Sequence, residues 1–340
     1  MTRKDAIRTF DVRTIDVKIF GTVSISADGQ PVVLTPKTQL LAASLFLAAG
    51  HRVPAGRLRD QIWDGEKAGE TRQALYDLVR DLRRELDAAC PGASAIVVQQ
   101  SGTYAAQIDA GQVDVNRFQS LLEEARDLDQ QHHDTHSAAA RYRQALDEWG
   151  VDLTGPDEPL AGLAGRWAMS VRYRLQSAYL TGLLNFIDAQ LRLRQHAQAV
   201  PVLTQLATLH PHNERAAELY MQALCRSGQP TEAEAVYRQL HARLRSDTGR
   251  EPGERLQQLH QRILCGEEGL DTPMSEDESV STPKPQQAAP ADAPAAEEAP
   301  KPITPPAQHG PPLFGHVESV EKFTVFKAPV HIERGGFTIN

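Results

Sequence analysis

The chain has 340 residues, of which 41% are hydrophobic, and its formal net charge is −8. We expect no signal peptide in "MTRKDAIRTF" and no membrane span, because no stretch approaches about 20 uninterrupted apolar residues. The three cysteines are too widely spaced for a disulfide framework or a metal knuckle, so we expect a cytoplasmic protein of more than one domain.

Charge is distributed unevenly along the sequence. Residues 1–108 hold 14 Lys and Arg against 12 Asp and Glu, residues 109–265 hold 17 against 20, and residues 266–340 hold 5 against 12. Most of the acidity therefore belongs to the C-terminal part. A local positive face on the N-terminal part can still meet the phosphates of a nucleic acid.

Strands are predicted first, over residues 15–34, where apolar and other residues alternate along "IDVKIFGTVSISADGQPVVL" through Val32 and Leu34. Asp28-Gly29 is a hairpin turn signal within this stretch, because glycine takes positive φ without steric cost. Residues 37–49 then form an apolar helix. Pro54 opens a second short helix, for which the expected inward-facing residues are Leu58, Ile62 and Trp63.

A third helix is predicted over residues 70–89, where apolar residues recur at the spacing of one helical face. That face consists of Leu75, Leu78, Val79, Leu82 and Leu86. At about 100° per residue, the outer face carries a row formed by Arg72, Tyr76, Arg80 and Arg83, flanked by Arg84.

This outer face permits two interpretations. Asp77 and Asp81 share it, so it fits a solvated amphipathic helix with ion pairs such as Asp77 with Arg80 and Arg84. It also fits a recognition helix in the DNA major groove, where arginine can address guanine edges or phosphates.

Residues 95–108 are predicted to form two short strands around Ser101-Gly102. A hairpin sheet, three helices and a second hairpin follow the order of a winged helix-turn-helix with an additional N-terminal sheet. The last helix before the final hairpin enters the major groove in helix-turn-helix proteins. The expected DNA-binding residues are therefore Arg72, Tyr76, Arg80, Arg83 and Arg84 on the helix, with Thr103 in the wing.

Residues 113–265 are predicted to be helical throughout, with an internal repeat at a spacing of 34 residues. The stretch "RQHAQAVPVLTQL" aligns with "GQPTEAEAVYRQL", so that Gln195 matches Gln229 and Ala199 matches Ala233. This period indicates tetratricopeptide-like helix pairs, which bury a continuous core and offer a concave surface to a partner. The predicted fold class is mainly α with a small β component.

The composition changes again from residue 266. Residues 266–312 are rich in Pro, Ala and Glu and are predicted to be a disordered linker. Residues 313–340 are apolar again but too short for an independent domain. Three interpretations of this C-terminal peptide stay open: an unconstrained extension, a tethered ligand that acts in cis or binds a partner in trans, or a processed peptide substrate.

In this order, the motifs resemble the Streptomyces antibiotic regulatory protein family of transcriptional activators. The resemblance covers about residues 15–265 and rests on "GQPVVLTPKTQLLAASLFLAAGHRVPAGRLRDQIWDG", "QALYDLVRDLRREL", "SGTYAAQI" and "VDVNRFQSLLEEA". It implies an OmpR-type winged helix over residues 15–108, after an N-terminal extension of residues 1–14. It also implies a tetratricopeptide-like bacterial transcriptional activation domain over residues 113–265.

The resemblance further implies a function and partners. Such proteins bind short direct repeats in double-stranded promoter DNA, often as head-to-tail pairs, and help to recruit RNA polymerase, usually at secondary-metabolite gene clusters. Wings in the family commonly carry Pro-Gly-Tyr, whereas this chain has Ser101-Gly102-Thr103-Tyr104, which departs from the pattern. The chain has no G-x-x-x-x-G-K-[ST] phosphate loop, so a short-form activator without a nucleotide cofactor is expected.

No enzyme, cofactor or metal site is predicted. His132 and His136 in "HHDTH" lack neighbouring ligands and are interpreted as a polar loop between helices. No G-x-S-x-G nucleophile pattern occurs in the sequence. The alternative hypothesis is a tetratricopeptide-like interaction scaffold with a degenerate winged helix, which the acidic residues Asp77 and Asp81 on the outer face favour.

Overall fold

The structure, a computed structural model, describes residues 14–48, 50–65, 72–150 and 157–266. The chain divides into two units, Met1–Ser275 and Glu276–Asn340. The predicted C-terminal peptide, the linker beyond residue 266 and nearly all of the predicted N-terminal extension lie outside the described residues.

The N-terminal strands form an antiparallel sheet in chain order, as their alternating sequence predicts. It consists of β1 (Ile15–Lys18), β2 (Ser24–Ala27) and β3 (Gln30–Pro31). Asp28 and Gly29 join β2 to β3 with φ angles of +49° and +77°, which are the positive values that a type I′ hairpin turn requires. The predicted hairpin turn is therefore confirmed.

The third strand is shorter than predicted. We expected alternation to continue through Val32 to Leu34, but the backbone N–H of Val32 donates the last bond to β2, at 2.9 Å. The chain then turns into α1 (Pro36–Phe46), where the side chain of Thr35 accepts a backbone hydrogen bond from the first turn. The need to cap this helix start ends the strand early.

Two more helices complete the winged-helix arrangement, α2 (Ala55–Trp63) and α3 (Arg72–Ala89). The predicted inward-facing residues of α2, namely Leu58, Ile62 and Trp63, are all buried. The buried face of α3 consists of Leu75, Val79, Leu82 and Leu86, with Leu78 half-buried beside it. The third helix is therefore amphipathic as predicted, and its opposite face is left for solvent or a partner.

The wing is a hairpin of β5 (Val97–Gln100) and β6 (Thr103–Ala106), as predicted. A further strand, β4 (Val53–Pro54), pairs antiparallel with β6, so the sheet order is β4-β6-β5. Sequence analysis missed β4, because a two-residue strand has no periodicity to detect. Its pairing holds the start of α2 against the wing.

Seven helices follow within the described residues, and most of them pack against their neighbours in sequence. They are α4 (Asp114–Gln130), α5 (Thr135–Trp149), α6 (Arg166–Arg192), α7 (His196–Leu209), α8 (Glu214–Arg226), α9 (Pro230–Thr248) and α10 (Glu254–Leu264). Gln195 and Gln229 are the N-caps of α7 and α9, and Ala199 and Ala233 are fully buried. The matched environments favour the tetratricopeptide-like architecture, which stays a prediction.

The N-terminal sheet and the helical region share one hydrophobic core. Phe20, which follows β1, stacks on Trp149 of α5 with ring centroids 4.1 Å apart. Phe118 of α4 and Tyr179 of α6 pack against Trp149 at 5.4 and 5.0 Å and complete an aromatic cluster. Large aromatic side chains bury extensive apolar surface, so this cluster stabilises the junction between the two regions.

Hydrogen bonds fix the same junction. Asp114 Oδ2 accepts the backbone amide hydrogens of Ile19 and Phe20 at 2.8 and 3.0 Å. On the other side, the backbone N–H of Leu160 donates to the carbonyl oxygen of Ile19 at 3.0 Å. The winged-helix region therefore cannot reorient against the helical region without breaking these bonds.

Candidate nucleic-acid interface

The outer face of α3 is basic and lies beside the wing. Arg72, Tyr76, Arg80 and Arg84 are exposed on it, with Tyr76 showing 50% of its accessible surface, whereas Arg83 is half-buried. The opposite, leucine-rich face is held in the core, which fixes the rotation of the helix about its axis. Four of the five predicted helix residues therefore lie where a duplex can reach them.

Two of these arginines pair with carboxylates of the same helix. Arg80 Nη1 lies 3.0 Å from Asp77 Oδ1, and Arg84 lies 2.9 Å from both Asp81 and Glu85. The expected pair of Asp77 with Arg84 is wrong, because Asp81 is one turn from Arg84 and Asp77 is two turns away. The side chains of Arg80 and Arg84 are 70% and 65% exposed, so these weak pairs can be exchanged for DNA phosphates.

The carboxylates beside Arg84 favour its charged form. A hydrogen bond to Glu85 and the charge of Asp81 raise the pKa of Arg84 above its ordinary value. Both carboxylates therefore compete with an incoming phosphate for this guanidinium.

Two hydrogen bonds join α3 to the wing. Arg83 Nη2 donates to the carbonyl oxygen of Val97 at 2.7 Å, and Gln99 Nε2 donates to the hydroxyl oxygen of Tyr76 at 3.0 Å. Arg83 thus supports the wing, and a DNA contact by its guanidinium stays a prediction. Sequence analysis missed Gln99, because a glutamine on an exposed strand carries no signal until its partner is known.

Thr103 closes the turn of the wing. Its hydroxyl donates to the carbonyl oxygen of Gln100 at 2.7 Å, and Ser101 and Gly102 adopt φ angles of +50° and +75° between them. The hydroxyl oxygen can still accept a further hydrogen bond. A DNA contact by Thr103 therefore stays a prediction.

A pocket of about 420 Å³ lies between α2, the first turn of α3 and the wing. The polar and glycine residues that line it include Gly56, Arg59, Arg72, Tyr76, Gln99 and Gly102. None of the described residues around this pocket is acidic. The charged residues among those described at the pocket are therefore Arg59 and Arg72.

A second cleft, of about 590 Å³, lies between the N-terminal sheet and the first two helices of the helical region. Asp114 lines it and is 3% exposed. Burial raises the pKa of Asp114 to about 6, although backbone amides of Phe20, Ile19 and Val115 donate to its carboxylate and oppose the shift. This cleft belongs to the junction of the two regions, away from α3 and the wing.

His132 lies in the loop before α5 and His136 in the first turn of that helix, so the two side chains do not share a helical face. Across the described ranges, no group of three or more His, Cys, Asp or Glu residues is arranged to hold a metal ion. No helix in the same ranges is both long and apolar enough to cross a membrane.

The helical region matches a known family model, and the whole globular part matches curated proteins. Residues 113–264 match the model described as the bacterial transcriptional activator domain. The chain is 30% identical over 263 residues to the regulatory protein DnrI of Streptomyces peucetius, a match that covers 76% of this chain and 94% of DnrI. The chain belongs to the Streptomyces antibiotic regulatory protein family.

Members of the Streptomyces antibiotic regulatory protein family differ in length. The regulatory protein AfsR of Streptomyces coelicolor is 35% identical over 257 residues, which is 74% of this chain but 24% of AfsR. This chain thus spans about a quarter of the length of AfsR.

A solved structure shows the same fold. Mycobacterium tuberculosis EmbR, in complex with a low-affinity phosphopeptide, superposes with a TM-score of 0.69 at 20% identity, over 77% of this chain and 67% of EmbR. At this identity the likeness concerns the fold alone: a mainly helical chain with a small β part.

Proposed function

We propose that this member of the family is a transcriptional activator that binds promoter DNA through α3 and the wing. The observation that carries the proposal is the exposed basic face of α3 beside the hairpin, opposite a fully buried leucine face. Two hydrogen bonds hold the wing beside this face. The names of DnrI and AfsR, both regulatory proteins, support this function.

The side chains of this face have different roles in the proposal. The B-DNA major groove is about 12 Å wide and admits one helix, so the exposed centre of α3 faces the base edges. Arg80 lies at that centre and addresses a guanine edge, while Arg72 and Arg84, nearer the two ends, contact phosphates. Tyr76 contacts DNA beside Arg80, and Thr103 contacts the backbone from the wing.

The helical region is the activation part of the proposed regulator. Residues 15–108 form the DNA-binding domain and residues 113–265 the activation domain, which recruits RNA polymerase at a secondary-metabolite gene cluster. Two copies bind head to tail on direct repeats. The contacts of Phe20 with Asp114 and Trp149 support this assignment of the two regions. They fix the orientation of the DNA-binding domain relative to the activation domain of the same chain.

A second candidate function is a protein-interaction scaffold with a degenerate winged helix. The pairing of Arg80 with Asp77, and of Arg84 with Asp81 and Glu85, favours it, because these carboxylates reduce the positive potential of α3. On this interpretation the C-terminal peptide, which lies outside the described residues, serves as a tethered ligand or a processed peptide.

Footprinting of the full chain on the DNA upstream of its own gene tests the proposed function. We expect protection of direct repeats, with affinity that falls steeply as salt increases. Arg80→Ala is expected to weaken binding, whereas Arg238→Ala on α9 provides a matched control that removes an exposed arginine far from α3 in sequence. Absence of any DNA binding at low salt would favour the scaffold.

Deletion of residues 313–340 separates the interpretations of the C-terminal peptide. A tethered ligand that acts in cis predicts a change in promoter binding or transcription, whereas an unconstrained extension predicts none. The intact mass of the protein purified from its native cell tests for processing.

A further inference from the structure

The segment of residues 157–165 immediately precedes α6 and is called the strap here. Its backbone binds the winged-helix region: the N–H of Leu160 donates to the carbonyl oxygen of Ile19 at 3.0 Å, and the N–H of Ala161 donates to that of Gly21 at 2.9 Å. The side chain of Leu160 is fully buried in the shared core. The strap therefore belongs to the helical region in sequence but is attached to the winged-helix region.

Arg172 of α6 holds the strap in place. Its guanidinium donates to the carbonyl oxygens of Pro159 and Leu160 at 2.9 and 2.8 Å, and also to that of Leu163. The side chain of Arg172 is 14% exposed and pairs with Glu158 of the strap at 3.2 Å. A guanidinium carries five N–H donors in a rigid plane, so this one side chain determines where three carbonyl groups of the strap lie.

The strap has a strained backbone. Leu160 has a φ angle of +55°, in the left-handed region that leucine rarely adopts, because its Cβ then lies too close to the following carbonyl oxygen. Gly162 follows with a φ angle of +75°, where glycine has no such steric cost. Strain of this kind persists only where surrounding contacts over-determine the conformation. The bonds from Arg172 and the two backbone bonds to the winged-helix region are such contacts.

The same helix contacts the winged-helix region at a second point. The N-cap of α6 is Gly165, which has no side chain to accept a hydrogen bond, and Asp64 at the end of α2 accepts instead. Its carboxylate binds the backbone N–H of Arg166 at 3.1 Å and the guanidinium at 2.6 Å. The side chain of Arg166 is 84% exposed, so this pair is weak and the strap is the stronger attachment of α6.

We propose that the strap sets the orientation of the winged-helix region relative to the helical region, and that Arg172 is its positioning residue. The inference rests on the proposed activator function and adds to it the element that couples DNA binding to activation. With Arg172 in place, the strained strap keeps its bonds to Ile19 and Gly21, and the two regions move as one body. Without Arg172, Leu160 returns to an ordinary φ angle, and the winged-helix region turns about the remaining contacts of Phe20.

The distribution of distances between the two regions tests the strap in the full chain without DNA. Spin labels on cysteines introduced by Gln100→Cys in the wing and Thr231→Cys in the first turn of α9 report this distance by pulsed electron paramagnetic resonance. Cys265→Ser removes the exposed native thiol. Cys90 is buried, and burial raises the pKa of the Cys225 thiol to about 11, so both thiols stay unlabelled near neutral pH.

Arg172→Gln and Arg172→Lys should each broaden the distance distribution about twofold, because lysine keeps the charge but lacks the planar fork that reaches three carbonyl groups. Arg215→Gln is the matched control. It removes a half-buried arginine that pairs with Asp188 and Glu218 within the helical region, so it should leave the width unchanged. Equal widths in wild type and both Arg172 variants overturn the inference, as does equal broadening by Arg215→Gln.

Gly162 provides a second test that leaves Arg172 intact and decides the matter if the Arg172 variants do not fold. A Cβ at Gly162 or at Gly228 would meet nothing within 4 Å, and the φ angles of these glycines are +75° and +78°. Alanine therefore adds a similar conformational cost at both positions, but only Gly162 lies in the strap. Gly162→Ala should broaden the distance distribution and Gly228→Ala should not, and equal behaviour of the two variants contradicts the inference.

Transcription connects the strap to the proposed function. In a purified transcription system with saturated promoter, Arg172→Gln should keep promoter affinity within about twofold of wild type while transcript yield falls about fivefold. Unchanged yield overturns the inference, and so does a loss of affinity that accounts for the whole loss of transcript. If wild type itself neither binds DNA nor activates transcription, the proposed function fails, whereas the distance distributions still decide the role of the strap.

Discussion

Asp114 Oδ2 accepts the backbone amide hydrogen of Phe20 at 3.0 Å, across a separation of 94 residues in sequence. Because Phe20 follows the first strand and Asp114 begins the first helix of the activation domain, one carboxylate joins the two regions. The ring of Phe20 then stacks on Trp149, so the polar and apolar contacts of the junction lie side by side.

Replacing Asp114 with Asn tests the ionisation of this carboxyl group. The pKa of Asp114 is about 6 in the folded protein, which is above its value in the unfolded chain. The protonated carboxyl group therefore contributes to stability below about pH 4, and this contribution is lost as the pH rises through 6. We expect the unfolding free energy of wild type relative to Asp114→Asn to fall by up to about 3 kcal/mol between pH 4 and pH 7. Urea titrations at several pH values measure this difference.

The opposite trend would also be informative. Three backbone amides donate to the Asp114 carboxylate, and such bonds favour the ionised form. If these hydrogen bonds outweighed burial, the unfolding free energy of wild type relative to Asp114→Asn would rise with pH instead. A difference that does not change with pH would mean that the group titrates normally in the folded protein.

Trp149 tests whether the two regions unfold together. It is 1% exposed and packs against Phe20, Phe118 and Tyr179, so Trp149→Ala is expected to cost about 3–5 kcal/mol of unfolding free energy. Half-buried Trp167 is the matched control, for which Trp167→Ala should cost less. Because the core is shared, helicity and DNA binding should be lost in one transition, and two separate transitions would contradict a common core.

Arg80 tests direct base recognition. Arg80→Ala should weaken specific promoter binding by about 1–3 kcal/mol, and Arg80→Lys should retain the charge but lose the bidentate contact with a guanine. We therefore expect the lysine variant to keep the salt slope of wild type while its base preference relaxes, as a selection from random duplexes would show. Unchanged base preference in both variants would mean that Arg80 contacts only the backbone.

The hydrogen bond from Gln99 to Tyr76 tests whether the wing must be held against α3. Tyr76→Phe and Gln99→Ala each remove this hydrogen bond, so each should weaken promoter binding. The double variant should bind the promoter no more weakly than the single variant with the lower affinity. The expected coupling is about 0.5–1.5 kcal/mol, measured by gel shift in a double-mutant cycle. Gln100→Ala, on the same exposed strand, is the control, and additive effects would show that the bond has no role.

Local sequence patterns determined much of the fold. The leucine face of α3, the turns at Asp28-Gly29 and Ser101-Gly102, and the burial of Leu58 on α2 all follow from periodicity and turn chemistry. These features depend on residues close in sequence, so a single chain suffices to predict them. The same periodicity predicted which side chains of α3 would face outward.

Other features depended on contacts that sequence spacing does not reveal. The strand β4, the pairing of Arg84 with Asp81 and Glu85, and the bond between Gln99 and Tyr76 each required knowing the partner. Amphipathicity shows that a side chain faces outward, but not what it meets there. Arg83 illustrates this, because it shares the outer face by angle and yet reaches the backbone of the wing.

The amino-acid sequence by itself determined the order of the elements, the apolar and basic faces of α3 and the family to which the chain is similar. Only the tertiary structure decided that Phe20 and Asp114 join the sheet to the helical region, and that Arg59 and Arg72 line one pocket. The physical reason is that local periodicity acts over one or two turns of chain, whereas these contacts form between distant segments when a common core is buried.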